Sequence, residues 1–429
     1  MKIASLPAPL AGRLIFSFGF GFFLSMFTRS ASNVLKQPMQ LDLGMGEEAI
    51  SLALGTSFFV AFALMQLPVG VLLDRYDPRK VNAGLMLVAA GGALTMAMSQ
   101  DAYWLTAGRV MMGAGFAAGM MGSLKVYSLW FPQERLPTMN SIQFMIGVLG
   151  ALSATKPTQL LLEWLTWRDF YTLFAGLTVL AAIVLVTVAP KHETPPNGET
   201  LAKQIGGIKR IYSDAYFWRI VPWMFLSVGV SQGLGTLYIL PWLTEVAAFS
   251  RGDAATALMF VSGVSVINFA LMGPFAELMI RKGFDHMTVP IAGLMTSMAL
   301  LGLLVVQVQF AVLPIWMFWS MTVGVTTLIF AGMTKAFPPE LMGRVYTAFN
   351  LLGFLFTAIV QWLIGRVLDL YPRTSDGAAA PEGYQTAFGM LLAVQVVGML
   401  WYFWAKRSGL GNETMVDKAR AAAVREGGP

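Results

Sequence analysis

Apolar stretches long enough to cross a bilayer recur along this chain, separated by short polar breaks. They fall at about 13–37, 49–73, 81–99, 103–129, 138–162, 168–189, 219–245, 254–280, 287–308, 311–335, 344–368 and 385–405. One helix needs about 20 such residues to span the hydrocarbon core. None of the stretches alternates strictly, and an isolated strand would leave its backbone unsatisfied in lipid, so twelve transmembrane helices are expected. Only 12% of the 429 residues are charged and 56% are apolar, against roughly 25% charged in soluble proteins. A soluble enzyme is excluded for want of charged surface, and a disordered chain for its excess of apolar area. Cysteine is absent, and His192 and His286 lie in polar connections. Thiol, triad and metal chemistry are therefore not expected, and with no Gly-rich nucleotide loop, neither is a cofactor or ATP-driven pumping.

The longest polar connection, between the sixth and seventh stretches, divides the chain. The expected organisation is an N-terminal six-helix lobe (1–189), a cytoplasmic linker (190–218), a C-terminal six-helix lobe (219–405) and a solvated tail (406–429). With the N-terminus inside, 19 of the 29 Lys and Arg face the cytoplasm and five face outward. That is the bias the positive-inside rule requires, so both termini are expected in the cytoplasm. The net charge of +6 is thereby used in orienting the chain, and no nucleic-acid partner is expected. The two halves echo each other. Trp130-Phe131-Pro132-Gln133-Glu134 recurs as Ala336-Phe337-Pro338-Pro339-Glu340, and Gly70 to Asp74 as Gly273 to Glu277. Near-constant offsets close to half the length indicate a duplicated six-helix unit.

Between the second and third spans stands Gly70-Val-Leu-Leu-Asp74-Arg75-Tyr-Asp77-Pro78-Arg79-Lys80. It resembles the G-x-L-x-D-R-x-G-R-K signature of the major facilitator superfamily, with Asp77 in place of the glycine and Pro78 in place of a basic residue. Arg109-Val-Met-Met-Gly113-Ala-Gly115 and Trp167-Arg168-Asp169-Phe170 resemble two further elements of that family. The resemblance implies an all-α transporter with twelve helices in two pseudo-symmetric lobes, working by alternating access. It also implies that Asp74 pairs with nearby charges and a helix N-terminus to hold one conformation. Gly70, Arg75, Arg79 and, in the degraded second copy, Glu277 belong to the same gating element. The superfamily carries many solutes, so the substrate does not follow.

Charge inside the spans says more. Arg29, Arg109, Lys125, Lys156 and Lys335 lie within them, whereas all 23 acidic residues fall toward one face or the other. A buried cation costs at least ~2.5–3.5 kcal/mol and is normally offset by a partner; here the compensating anion is expected to be the cargo. Ser25, Arg29 and Asn33, with Lys36 beyond, make one polar face of the first span. Arg29 and Asn33 are candidate substrate ligands, since a guanidinium suits carboxylate or phosphate and does not deprotonate; a structural arginine is the competing reading. Lys125 is a candidate for the same cavity. Arg109 and Lys156 stand between structural pairing and coupling, and Lys335 is read as interfacial.

The C-terminal half supplies neutral groups. Ser231, Gln232, Tyr238, Trp319 and Asn350 are candidate substrate contacts, although helix–helix packing is the more common use of such residues. No carboxylate stands at mid-membrane to carry a proton, so protons through a lysine and exchange against a counter-anion remain open as coupling modes. The expected protein is a monomeric secondary transporter of a small organic or inorganic anion in a bacterial inner membrane. The alternatives are an exporter of drugs or neutral solutes with the same fold, and a non-transporting membrane sensor.

Overall fold

The computed structural model describes residues 8–131, 135–191, 201–284, 287–322, 336–338, 341–374 and 378–418, with single positions 324, 329 and 421. Among these the chain is helical and forms no strand. The first lobe comprises α1 (Ala8–Leu43), α2 (Glu47–Ser51), a π-helical turn at Leu52–Thr56, α3 (Ser57–Arg75), α4 (Pro78–Ala97), α5 (Ala102–Phe116), α6 (Ala118–Trp130), α7 (Leu136–Ser153), α8 (Lys156–Leu161) and α9 (Trp167–Val188). The connection holds α10 (Leu201–Tyr212). The second lobe runs through α11 (Ala215–Ile220), a π-helical turn at Val221–Phe225, α12 (Leu226–Leu237), α13 (Ile239–Glu245), α14 (Arg251–Arg281), α15 (Thr288–Val305), α16 (Val312–Thr322), α17 (Met342–Leu368) and α18 (Pro381–Arg407). Eight helical segments among the described residues are long and apolar enough to cross a membrane.

Small residues set how closely these helices approach. A Cβ on Gly108 of α5 would lie 2.6 Å from the Gly92 carbonyl of α4, and one on Gly115 would lie 2.5 Å from Ala89 N. Gly108 and Gly115 therefore let α5 lie backbone to backbone against α4, and Gly113 does the same against Phe58 of α3, as small residues do in membrane helix packing. Aromatic rings are found both inside and outside the bundle: Trp223, Trp242 and Trp316 are fully buried, whereas Trp164, Tyr103 and Phe310 are exposed.

The two ends of the bundle are built differently. At the end bearing the connection, Asp77 caps α4 by accepting from Arg79 N (2.9 Å). Arg79 in turn chelates the Asp77 carboxylate and donates to Ala189 O (2.9 Å). The residue that departs from the family's glycine thus supplies the helix cap. Burial opposes ionisation of Asp77, but its hydrogen bonds with Arg79 prevail and hold the carboxyl below the usual range. Packing on the second lobe pushes the Tyr212 hydroxyl up to about 12, and it donates to Ala348 O (3.2 Å).

Two expectations for this end change. The connection is not simply polar, because α10 buries Ile208 and Ile211 in the second lobe's core. Nor is the first part of the tail merely solvated. Lys418 pairs with Asp214 (3.2 Å), Arg219 bonds Asn412 (2.8 Å), and Met415 packs on the same core. A short amphipathic segment finds apolar partners that a charge tally does not show.

At the opposite end the lobes are joined. Gly44 has φ +61° and Met45 N bonds back to Gln40 O (3.1 Å), which ends α1 in a left-handed cap. The chain doubles back, and α2 starts beside the last turns of α1. Asp369, just past α17, then accepts from Glu47 N (2.8 Å) and Glu48 N (2.7 Å), so the second lobe caps a helix of the first. Arg366 pairs with Glu48 (3.3 Å), and Arg251 donates to Val34 O (2.7 Å) and Gln37 (3.0 Å). We call this the sealed end.

Candidate functional site

A central cavity of about 310 Å³ lies between the lobes. Its first-lobe wall comes from α1 and α7 and is mostly apolar, with Phe22, Met26, Phe144, Val148 and Ala151; the exceptions are Arg29 and Ser30. The second-lobe wall is more polar, with Ser231 and Gln232 on α12, Ser262 and Ser265 on α14, Trp319 and Ser320 on α16, and Asn350 and Thr357 on α17.

Arg29 sits midway along α1 and is 5% exposed. Its guanidinium carbon lies 4.2 Å from the ring centre of Phe62, 5.4 Å from Phe58, 5.6 Å from Phe354 and 5.9 Å from Phe59. Phe354 belongs to the other lobe and meets Phe62 edge to face at 4.6 Å. Cation–π contact recovers part of the desolvation cost of the charge, yet Nε finds no hydrogen-bond acceptor. NH2 donates to Ser25 Oγ at 3.3 Å. No carboxylate lies within ion-pair distance of Arg29 among the described residues.

Of the other candidate ligands, Ser231, Gln232, Trp319 and Asn350 line this cavity, while Asn33, Lys125 and Tyr238 do not. Asn33 is engaged in joining the lobes, donating to Gly235 O (2.8 Å) and accepting from Leu240 N (3.4 Å). The Tyr238 hydroxyl, two turns beyond Gln232, is shared with Ser51 Oγ (2.6 Å) and Gln361 O (2.8 Å). Lys125 is half-buried on α6. The indole nitrogens of Trp242, Trp316 and Trp319 are buried without a hydrogen-bond partner, and Trp319 alone of the three borders the cavity.

The coupling candidates are dispersed. Arg109 is buried on α5, donating to Thr28 (3.2 Å) and to Ser32 of α1, with its guanidinium carbon 5.4 Å from the Phe58 ring. Lys156 donates to Gly252 O (3.3 Å) across the lobes at the sealed end. Gly70 lies on α3, and Arg75 is exposed at its end. The side chains of Asp74 and Glu277, and Lys335 altogether, lie outside the described residues. Trp167 and Arg168 of the third family-like element both hold Asp42 at the end of α1.

Sequence reasoning missed two arrangements. One is the phenylalanine ring around Arg29, for which Phe58, Phe59 and Phe62 on a single helix were the available signal. The other is a buried ion pair at the sealed end, Lys36 Nζ to Glu47 Oε2 at 2.6 Å, with both side chains 2% exposed. The turn at Gly44, φ +61°, folds Glu47 in among the helices of the sealed end.

Helices of membrane-spanning length form two lobes around one central cavity, an architecture of membrane transporters. The profile of the Major Facilitator Superfamily matches residues 18–361, and the chain belongs to that family. An MFS-type efflux pump of Mycolicibacterium smegmatis is 21% identical over 408 residues, covering 92% of each chain. A probable galactarate/D-glucarate transporter of Escherichia coli is 20% identical over 434 residues, covering 90% of this chain and 91% of that one. Among solved structures, a bacterial homolog of the human lysosomal transporter Spinster, inward-facing and unoccupied, superposes with a TM-score of 0.75. It is 15% identical, with 94% of this chain and 98% of that one covered. A D-xylose–proton symporter gives 0.70 at 14% identity, with 91% and 97% covered. These likenesses give the fold.

Proposed function

We propose that this chain is a secondary transporter of a small organic anion, working by alternating access, with the central cavity as its cargo site. The observation that carries the reading is Arg29, a permanent cation at mid-helix that borders the cavity and has no carboxylate within ion-pair distance among the described residues. A carboxylate on the cargo would supply the missing charge and an acceptor for the guanidinium fork. Ser231, Gln232 and Asn350 face it with hydroxyl and amide groups for the body of the cargo, and Trp319 offers a flat apolar surface. The relative named for galactarate and D-glucarate supports an anionic cargo.

The sealed end is the one that the charge bias places outside, which supports an inward-facing form of a bacterial inner-membrane monomer with both termini in the cytoplasm. Asn33, Tyr238 and Lys156 then act by closing the outer end. Arg109 fixes α1 against α5. Gly70, Asp74, Arg75, Arg79 and Glu277 serve the inner end.

The test is uptake by purified protein in liposomes, using labelled anions, cations and neutral solutes with and without a pH gradient. Saturable anion uptake is expected, falling about 100-fold or more in Arg29→Gln, as loss of a charge-assisted bond worth ~3 kcal/mol requires, and partly retained in Arg29→Lys. Cation transport indifferent to Arg29→Gln overturns the reading. A second reading, export of a largely apolar solute, is favoured by the Phe22, Met26, Phe144 and Val148 wall and by the efflux relative. It requires transport of neutral dyes that competing carboxylates do not inhibit.

A further inference from the structure

Four carboxylates where the lobes meet at the sealed end are matched with cations, and Glu245 beside them is not. Glu47 has Lys36 at 2.6 Å, Glu48 has Arg366 at 3.3 Å, Asp369 has Arg373 at 3.7 Å, and Asp42 has Arg168. Glu245, the last residue of α13 in the second lobe, has no cation within 4 Å among the described residues. Its side chain accepts instead from the Tyr384 hydroxyl of α18 at 2.7 Å.

The groups facing Glu245 sharpen the mismatch. From the first lobe these are Lys36 on α1 and Glu47 on α2, and from its own lobe Tyr384 and the backbone of Ala379. Lys36 is already neutralised by Glu47, whose second oxygen accepts from Gln40 (2.6 Å). On α14, Arg251 is turned away to Val34 O, Gln37 and Gln159, and Asp253 is bonded to Ser250 (2.7 Å). Arg373 of the second lobe, 37% exposed, reaches Glu47 at 3.9 Å and Asp369 at 3.7 Å, so the one buried cation facing Glu245 is the amine of Lys36, which Glu47 already holds.

We propose that Glu245 is a proton-binding site of the sealed end. A proton from water on that side joins its carboxylate as the lobes close and returns to water as they part. The protonated carboxyl keeps its bond from Tyr384 through Oε2 and gains a donor, while Lys36 and Glu47 remain a neutral pair. No negative charge is then stranded between the lobes. The lysine route to proton coupling becomes unnecessary, since a carboxyl at the gate performs that task. The proposal rests on the alternating-access reading in one respect, that the two lobes separate at this end.

The test uses the full chain in lipid nanodiscs, with no cargo. The chain has no cysteine, so a spin-label pair at Leu41→Cys and Leu370→Cys, exposed positions on the two lobes at this end, reads the gap directly. Between about pH 9 and about pH 5, the closed-to-open ratio should rise, by up to tenfold for each unit of pH lowered, as one bound proton requires. Glu245→Gln should hold the closed population whatever the pH. Tyr384→Phe, which removes the carboxyl's partner without adding charge, should shift the pH midpoint and keep the slope. Two distances whose ratio ignores pH overturn the proton site and leave alternating access standing. Glu245→Gln retaining the parent's pH response also overturns it. A single distance under every condition removes the alternating-access reading as well.

Discussion

Arg29 and Lys36 lie two turns apart on one helix, both almost fully buried, yet they are accommodated in opposite ways. Lys36 has a carboxylate at 2.6 Å, supplied by a turn built to return Glu47 beneath it. Arg29 has four phenyl rings and an unsatisfied Nε. A cation whose counter-ion is encoded in the chain holds helices together. A cation whose counter-ion is absent among the described residues is, on the function proposed above, held for the carboxylate of the cargo.

The comparison is most exposed to substitution at the pair. Glu47→Gln leaves Lys36 buried and alone, and should cost about 3–5 kcal/mol, read as a large fall in Tm. Lys36→Met with Glu47→Leu should recover most of that loss; if it does not, packing rather than charge is what the pair supplies. Arg29→Gln should move Tm the other way, by about 1 kcal/mol, because it removes an uncompensated charge and strands nothing. A fall as large as that of Glu47→Gln would mean that Arg29 is structural.

The cross-lobe cap comes next. Asp369→Ala should cost about 1 kcal/mol of contact between the lobes, seen as a lower closed-to-open ratio of the spin-label pair at Leu41→Cys and Leu370→Cys. The smallest effect is expected at Asp77, whose carboxylate is paired with Arg79 near water. Its folded-state pKa is depressed, so its contribution is complete above the unfolded value near ~4 and is lost as pH falls through the folded one. Thermal melts of the parent and Asp77→Asn should therefore differ by about 0.5 kcal/mol at neutral pH, and converge in acid.

Much of this was legible before any fold was in hand. Helical periodicity set Arg29 on a polar face because Ser25 and Asn33 share it, and long apolar runs gave the spans. Periodicity cannot say whether a polar face meets a cavity or another helix. Asn33, one turn from Arg29, therefore looked like a cargo ligand and proved to join α1 to α12 and α13. Tyr238 is a similar case, since its hydroxyl is used by Ser51 and Gln361. The pair of Lys36 and Glu47 was hidden for a different reason. The residues are separated by a turn whose direction depends on one glycine in the left-handed region, and hydropathy does not register direction.

The cap that Asp369 lends to α2 has a consequence in time. The amides of Glu47 and Glu48 begin a helix, where the first N–H groups have no partner within the helix itself. Their acceptors sit on the other half of the molecule. In the proposed alternating-access cycle, those two hydrogens would meet solvent whenever the halves part and be shielded whenever they rejoin. Two adjacent backbone amides would thus record how often such a cycle opens this end, readable by deuterium labelling without altering a single residue.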